Sequence, residues 1–232
     1  MRGVPVPARD EDFTADPSEL FFDLAFVFAF SRLVGHLVHH PDWTGVGEFA
    51  LLLAMIWLPW SQFTWSANAV AGNSRPVRVL FLIGTIASMP MAGSITTALD
   101  DGGPAFAVSL AVILAIALPT MRLGLGDAPE VRSGMRPYAV SVVVVASMFV
   151  AGGLLDADLR PWIWGAAIAV FLLGTLAAGR SEWIIRPGHF AERHGLIVIV
   201  ALGEVIVALG LPVVQELEDG SGLPGRTAVA LV

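Results

Sequence analysis

Long apolar runs recur seven times along the chain: Leu20 to Val38, Val46 to Trp65, Val77 to Leu99, Pro104 to Met121, Tyr138 to Leu155, Trp162 to Ala178 and Leu196 to Val214. Each is close to the ~20 residues an α-helix needs to cross a hydrocarbon core about 30 Å thick. Between them stand turn formers and charges where backbone leaves lipid: Pro41-Asp42, Gly72-Asn73, Asp100-Asp101-Gly102-Gly103, Gly126-Asp127, Asp156, Arg186-Pro187-Gly188 and Asp219-Gly220. The pattern predicts an all-α fold, a polytopic transmembrane helical bundle with about seven complete spans. A further apolar run opens at Thr227 and stops at Val232, so the start of a truncated eighth helix is expected there. The expected organisation is a cytosolic leader over 1–18, a transmembrane helical domain over 19–226, and the truncated helix over 227–232. The leader carries Pro5, Pro7, Pro17 and the acidic run Asp10, Glu11, Asp12, and it lacks the basic and apolar regions of a signal peptide.

Composition agrees with the pattern. Hydrophobic residues make up 56% of the 232 and charged residues 14%, with mean hydropathy +0.75. A soluble fold, with about 25% charged residues, could not hide that much apolar surface. All 13 basic residues are arginine, and without lysine a retinal-type Schiff base is excluded. The absence of cysteine removes disulfides, thiolate nucleophiles and Cys-ligated metal. A net charge of −7 argues against nucleic acid as a partner.

Arginine also orients the chain. Arg2, Arg9, Arg75, Arg78, Arg122, Arg132, Arg136, Arg180, Arg186 and Arg193 fall in the leader and the even-numbered loops; only Arg160 and Arg226 fall in the odd-numbered ones, and Arg32 lies inside the first span. By the positive-inside rule the N-terminus is expected in the cytoplasm of a bacterial cell, with the protein in its inner membrane. Trp43, Trp162 and Trp183 sit near span ends, as interfacial tryptophans do. No internal repeat marks the chain as an inverted-repeat transporter.

Ionisable groups within apolar spans are the candidate chemistry, because a mid-span Asp or Arg costs about 2.5–3.5 kcal/mol to insert. Glu19 and Asp23 lie one turn apart at the mouth of the first span and share a helical face. Glu19 also suits a helix N-terminus capped by Asp16 or Ser18. Glu204, in Ala201-Leu202-Gly203-Glu204-Val205, is in the middle of the last complete span; it reads either as a neutral acid bonded to a neighbouring helix or as a proton or cation site. Gly203 and Gly210 would let another backbone approach it. The stretch His189-Phe190-Ala191-Glu192-Arg193-His194-Gly195 is expected on the same side as Glu19 and Asp23. Arg193 could pair with either acid, so Glu19, Glu192, Arg193 and His194 form a candidate gate or ion-pair cluster.

Two weaker signals complete the set. Span two is dense in polar and aromatic residues around Pro59, with Trp60 and Gln62 among them, and Trp57, Ser61, Thr64 and Asn68 share a face suited to lining a pocket or to interhelical hydrogen bonds. Pro90 and Pro119 mark weak points in spans three and four, where Thr85, Ser88 and Ser94 could serve freed carbonyls. Arg32, His36, His39 and His40 occupy the outer half of the first span, and Arg32, His36 and His39 share a face nearly opposite Asp23. The histidine spacing could ligate metal or haem, but no acid completes a ligand set, and neither cofactor nor metal is expected. No catalytic residues are assigned.

Glu19-Leu20-Phe21-Phe22-Asp23-Leu24, Glu192-Arg193-His194-Gly195-Leu196 and Ala201-Leu202-Gly203-Glu204 together resemble the bacterial low temperature requirement A family of membrane proteins, over essentially the whole chain. The aromatic second span ending near Asn68 is similar as well. Val205 stands where relatives commonly carry serine. The resemblance implies further helices beyond Val232 and a link to growth in the cold, with no reaction attached. The acids themselves point to transport or ion permeation, proton-coupled through Asp23 and Glu204; the alternatives are a non-catalytic assembly or cold- and envelope-adaptation factor, and a membrane enzyme using the histidines. Expected partners are the lipid bilayer, protons or a small solute, and a second copy in a homo-oligomer.

Overall fold

The computed structural model of the chain describes residues 14–69, 75–125, 129–178 and 186–218. Its helices are α1 (Pro17–His39), α2 (Trp43–Ala69), α3 (Arg75–Ser94), α4 (Gly103–Leu125), α5 (Pro129–Leu154), α6 (Arg160–Ala178) and α7 (Pro187–Glu218), with short 3-10 turns at Ile95–Thr97 and Ala157–Leu159. Among the described residues there is no strand. Helices α1 to α6 each contain a stretch long and apolar enough to cross a membrane. The expected seventh span falls within α7, whose 32 residues make a helix of about 48 Å. The described residues thus support six spans, fewer than the expected seven and a fraction. Residues 227–232 lie outside them, as does the leader up to residue 13.

Several helices exceed the apolar runs that predicted them. Pro59, Pro90, Pro119 and Pro137 lie inside α2, α3, α4 and α5 without ending them, as happens in lipid where an interrupted helix still satisfies its backbone better than a loop. The largest difference is at α7. The stretch 189–195, expected as an approach to the helix, forms its first turns. The reason is Pro187: its fixed φ and missing N–H suit the first helical position, and nine residues of polar sequence are drawn into the helix ahead of the apolar run.

In the bundle, α1 packs against α2, α3 and α7, while α2 touches α1, α4, α6 and α7; α4 joins α3 to α5, and α5 pairs with α6. An aromatic knot holds α1, α2 and α3 together. Phe22 stacks on Phe63 with ring centroids 4.4 Å apart, and Phe81 meets both edge-on at 5.7 and 5.4 Å. Such pairs contribute about 0.5–1.5 kcal/mol each beyond their buried area. Gly84 makes room for them, since a Cβ there would lie 3.0 Å from Phe63 Cζ and 3.1 Å from Phe22 Cε2. The knot matters because the ionisable groups of α1 sit directly beside it.

At the opposite end of the bundle, buried Arg160 gathers the backbone. Its guanidinium donates to the carbonyls of Ala98 (3.1 Å), Gly152 (3.1 Å), Gly153 (3.3 Å) and Asp100. It caps carbonyls left over at the end of α5 and in the α3–α4 turn, which is how a helix C-terminus is satisfied when water is scarce.

Candidate functional site

Asp16 begins the site. It is the N-cap of α1, with Oδ1 accepting from the Ser18 backbone N–H at 2.9 Å and the Ser18 hydroxyl at 2.7 Å, while Oδ2 accepts from Arg78 of α3 at 2.8 Å. Burial pushes its carboxyl up, but the Arg78 and Ser18 hydrogen bonds outweigh that and hold it below the ordinary carboxylate value. Because Asp16 caps the helix, Glu19 is free of that duty and turns inward.

Glu19 and Asp23, four residues apart, present both carboxylates to α7. Arg193 lies between them: Nη1 is 2.9 Å from Glu19 Oε2 and Nη2 is 2.5 Å from Asp23 Oδ1. His189 Nε2 meets the same Glu19 oxygen at 3.0 Å, and Trp60 Nε1 of α2 donates to Asp23 Oδ1 at 2.7 Å. The side chains of Glu19, His189 and Arg193 are 0% exposed, and that of Asp23 is 3% exposed. The guanidinium also lies over the Phe81 ring, 5.7 Å from its centroid, a cation–π contact. The planar fork of arginine suits this task, since it can address two acids at once. Removing one partner from such a group leaves an uncompensated charge, so the cluster stands or falls together.

Further along the same seam, the Ser31 hydroxyl donates to Glu204 Oε1 at 3.0 Å. Ser31 lies two turns, about 12 Å, beyond Asp23 on α1. Contacts therefore progress in the same direction on both helices, from Ala15 N–H to Glu192 Oε2 (3.0 Å) through Asp23–Arg193 to Ser31–Glu204. Helices α1 and α7 run parallel. Glu204 is half-buried, and a Cβ on Gly203 or Gly210 would meet nothing within 4 Å among the described residues.

The other residues singled out by sequence are placed elsewhere. Glu192 faces the segment before α1. His194 turns away from the acids into an aromatic nest, with ring centroids 4.2 Å from Phe190, 5.0 Å from Trp60 and 6.3 Å from Trp57. On α2, Trp57 is partly exposed, Ser61 and Thr64 return their hydroxyls to the carbonyls of Leu58 and Trp60, and Asn68 binds the Arg186 backbone N–H through Oδ1 at 3.2 Å and the Arg186 guanidinium through its own carbonyl. Thr85 and Ser88 bond carbonyls within their own helix. In the second half of α1, Arg32 donates to Thr96 and His36 pairs with Glu48 at 3.0 Å. Among the described residues no group of three or more His, Asp or Glu could hold a metal.

Trp60 and His189 are met in the sequence only as members of longer stretches, with no role assigned, and Ser31 is not met at all. The spacing of four between His189 and Arg193 carries the signal for the first turns of α7, once those turns are known to be helical. Ser31 has no comparable mark.

Comparison with known proteins supplies the family. The family model for "Bacterial low temperature requirement A protein (LtrA)" matches residues 14–232. A Rhizobium meliloti (strain 1021) protein, described as "Uncharacterized protein RA0937", is 29% identical over 215 residues, covering 86% of this chain and 51% of that protein. The chain thus spans about half the length of the curated relative it matches. No solved structure matches. With the family model covering nearly the whole chain, including every member of the α1–α7 seam, this multi-pass helical membrane protein belongs to the bacterial low temperature requirement A family.

Proposed function

We propose that the chain moves protons, alone or coupled to a small solute, along the seam between α1 and α7, in the bacterial inner membrane with its N-terminus in the cytoplasm. The observation that carries this reading is the stacking of ionisable groups at two depths of one seam: Glu19, Asp23, His189 and Arg193 where the helices begin, and Glu204 with Ser31 about 12 Å deeper. Acids retained inside spans are expensive unless used, and proton relays use them in this manner. The Arg193 cluster serves as the gate. Glu204 serves as the mid-membrane carrier, with the Ser31 hydroxyl able to donate to its anion. At 12 Å the two depths do not exchange a proton directly; they communicate when the seam admits water.

Flux of protons into proteoliposomes containing the purified full-length protein tests the reading. Wild-type protein acidifies the lumen under an imposed gradient, and Glu204→Gln abolishes it. Equal flux from both, with the protein folded, removes Glu204 from the path.

A second reading, a non-catalytic assembly or cold- and envelope-adaptation factor, is favoured by one observation: Arg193 is fully enclosed between α1 and α7, as a purely structural tie would be. It predicts no flux and a defined set of co-purifying membrane partners, a second copy of the chain among them.

A further inference from the structure

We infer that the cluster at the beginning of α1 and α7 holds one exchangeable proton, carried on the contact between Glu19 and His189; this identifies the entry site of the path proposed above and rests on that reading for its use. The charge balance among the described residues points to it. Among the described residues, α1 contributes Glu19 and Asp23, α7 contributes Arg193 and His189, α2 contributes the Trp60 indole and α3 the Phe81 ring. Arg186, just before α7, is engaged with Asn68. Two carboxylates thus face one guanidinium, and arginine does not give up its proton. One negative charge is left over in surroundings closed to solvent, where an uncompensated ion costs several kcal/mol. A proton on the imidazole or on a carboxyl group cancels it.

Hydrogen bonding says where the proton resides. Asp23 Oδ1 accepts from Arg193 Nη2 and Trp60 Nε1, two donors that never become acceptors, so neither of these contacts can pass a proton on. Glu19 Oε2 accepts from Arg193 Nη1 and also meets His189 Nε2. Of the contacts described between residues of the cluster, Glu19–His189 joins two groups that can each hold or release a proton. With the proton on the ring, imidazolium faces carboxylate; with it on Glu19, the acid donates to a neutral ring nitrogen.

The cluster also offers the proton a route. Glu19 Oε1, Asp23 Oδ2 and Arg193 Nε are buried and make no hydrogen bond to protein. Leaving each of these unsatisfied costs about 1–3 kcal/mol, more for charged groups. A water molecule accepting from Nε and donating to a carboxylate oxygen satisfies them, and buried waters are usual at such groups. Such a water would accept the proton as it leaves the Glu19–His189 pair.

Infrared difference spectroscopy across a pH change, on the full-length protein in nanodiscs, reads the site directly. All samples carry Glu204→Gln to remove the deeper acid, and glutamate labelled with ¹³C at the carboxyl carbon assigns the band. The expected result is one labelled carboxylic-acid band that grows as pH falls, is lost in Glu19→Gln, changes its pH response in His189→Gln, and is indifferent to replacing sodium by N-methylglucamine. If Glu19→Gln does not fold, the His189→Gln response of the labelled band decides. A band that survives Glu19→Gln, ignores His189→Gln or follows sodium overturns the inference, as does the absence of both a labelled carboxylic-acid band and an imidazolium band that is lost in His189→Gln. Flux and bands separate the two proposals: either band without wild-type flux defeats the transport reading alone, and flux without either band defeats this one alone.

Discussion

Arg193 of α7 holds Asp23 of α1 at 2.5 Å, and the same guanidinium holds Glu19 one turn earlier. Two acids that would each be costly in a membrane helix thereby share one cation. The arrangement couples the position of α7 to the charge state of α1, so sliding or tilting one helix changes the electrostatics of the other.

Arg193→Gln is expected to destabilise the bundle by about 3–5 kcal/mol, because it leaves two buried carboxylates without their cation. Adding Glu19→Gln and Asp23→Asn to the same protein should recover most of that loss, since no net buried charge then remains. Denaturant unfolding in detergent, followed by tryptophan emission, measures both steps. A loss in the triple variant as large as in Arg193→Gln alone would mean that shape, and not charge, governs the site.

Asp16 gives stability a dependence on acid pH. Its carboxyl lies below the unfolded value of 3.8, so the native state binds this proton less readily than the unfolded chain. The contribution is fully present above the unfolded value and is lost as pH falls through the lower folded value. Asp16→Ala should remove that portion of the slope and lower stability at neutral pH by about 1 kcal/mol, the usual worth of an N-cap. Asp16→Asn keeps the cap, removes the charge facing Arg78, and flattens the slope with a smaller loss. Melting temperatures of the three proteins between pH 3 and pH 7 check the order.

Orientation is open to direct labelling because the chain has no cysteine. Asp101 and Asp156, in the α3–α4 and α5–α6 turns, are exposed, as is Arg75 at the start of α3. With the N-terminus in the cytoplasm, a membrane-impermeant maleimide added to intact spheroplasts should label Asp101→Cys and Asp156→Cys, and should reach Arg75→Cys only after permeabilisation. The reverse pattern would invert the proposed topology.

The hydropathy pattern locates the helices because lipid demands long apolar segments, and it misplaces their ends because lipid does not decide where a polar first turn begins. At α7 that decision belongs to Pro187. Once 189–195 is helical, His189 and Arg193 fall one turn apart and face Glu19. The cost of intramembrane charge likewise draws attention to Glu19, Asp23 and Glu204 from sequence alone. It cannot say which neighbours answer them: Trp60 reaches Asp23 from another helix, and Ser31 is one small polar residue among apolar ones. The shared face of Trp57, Ser61, Thr64 and Asn68 is real as helical geometry. Hydroxyls in a helix, however, can bond their own backbone, and Ser61 and Thr64 do so.

The parallel seam joins the first described helix to the last, and Asp23 waits for a partner 170 positions later in the chain. At the usual 5–20 residues per second, a ribosome takes roughly 10–30 s to make that interval. During that time α1 is already made, with two acids and no arginine to meet them. Its carboxyl groups must remain near the membrane surface or stay protonated until α7 emerges. The arrival of Arg193 is then what lets the first helix settle at its final depth, which makes the insertion of α1 wait on the synthesis of α7.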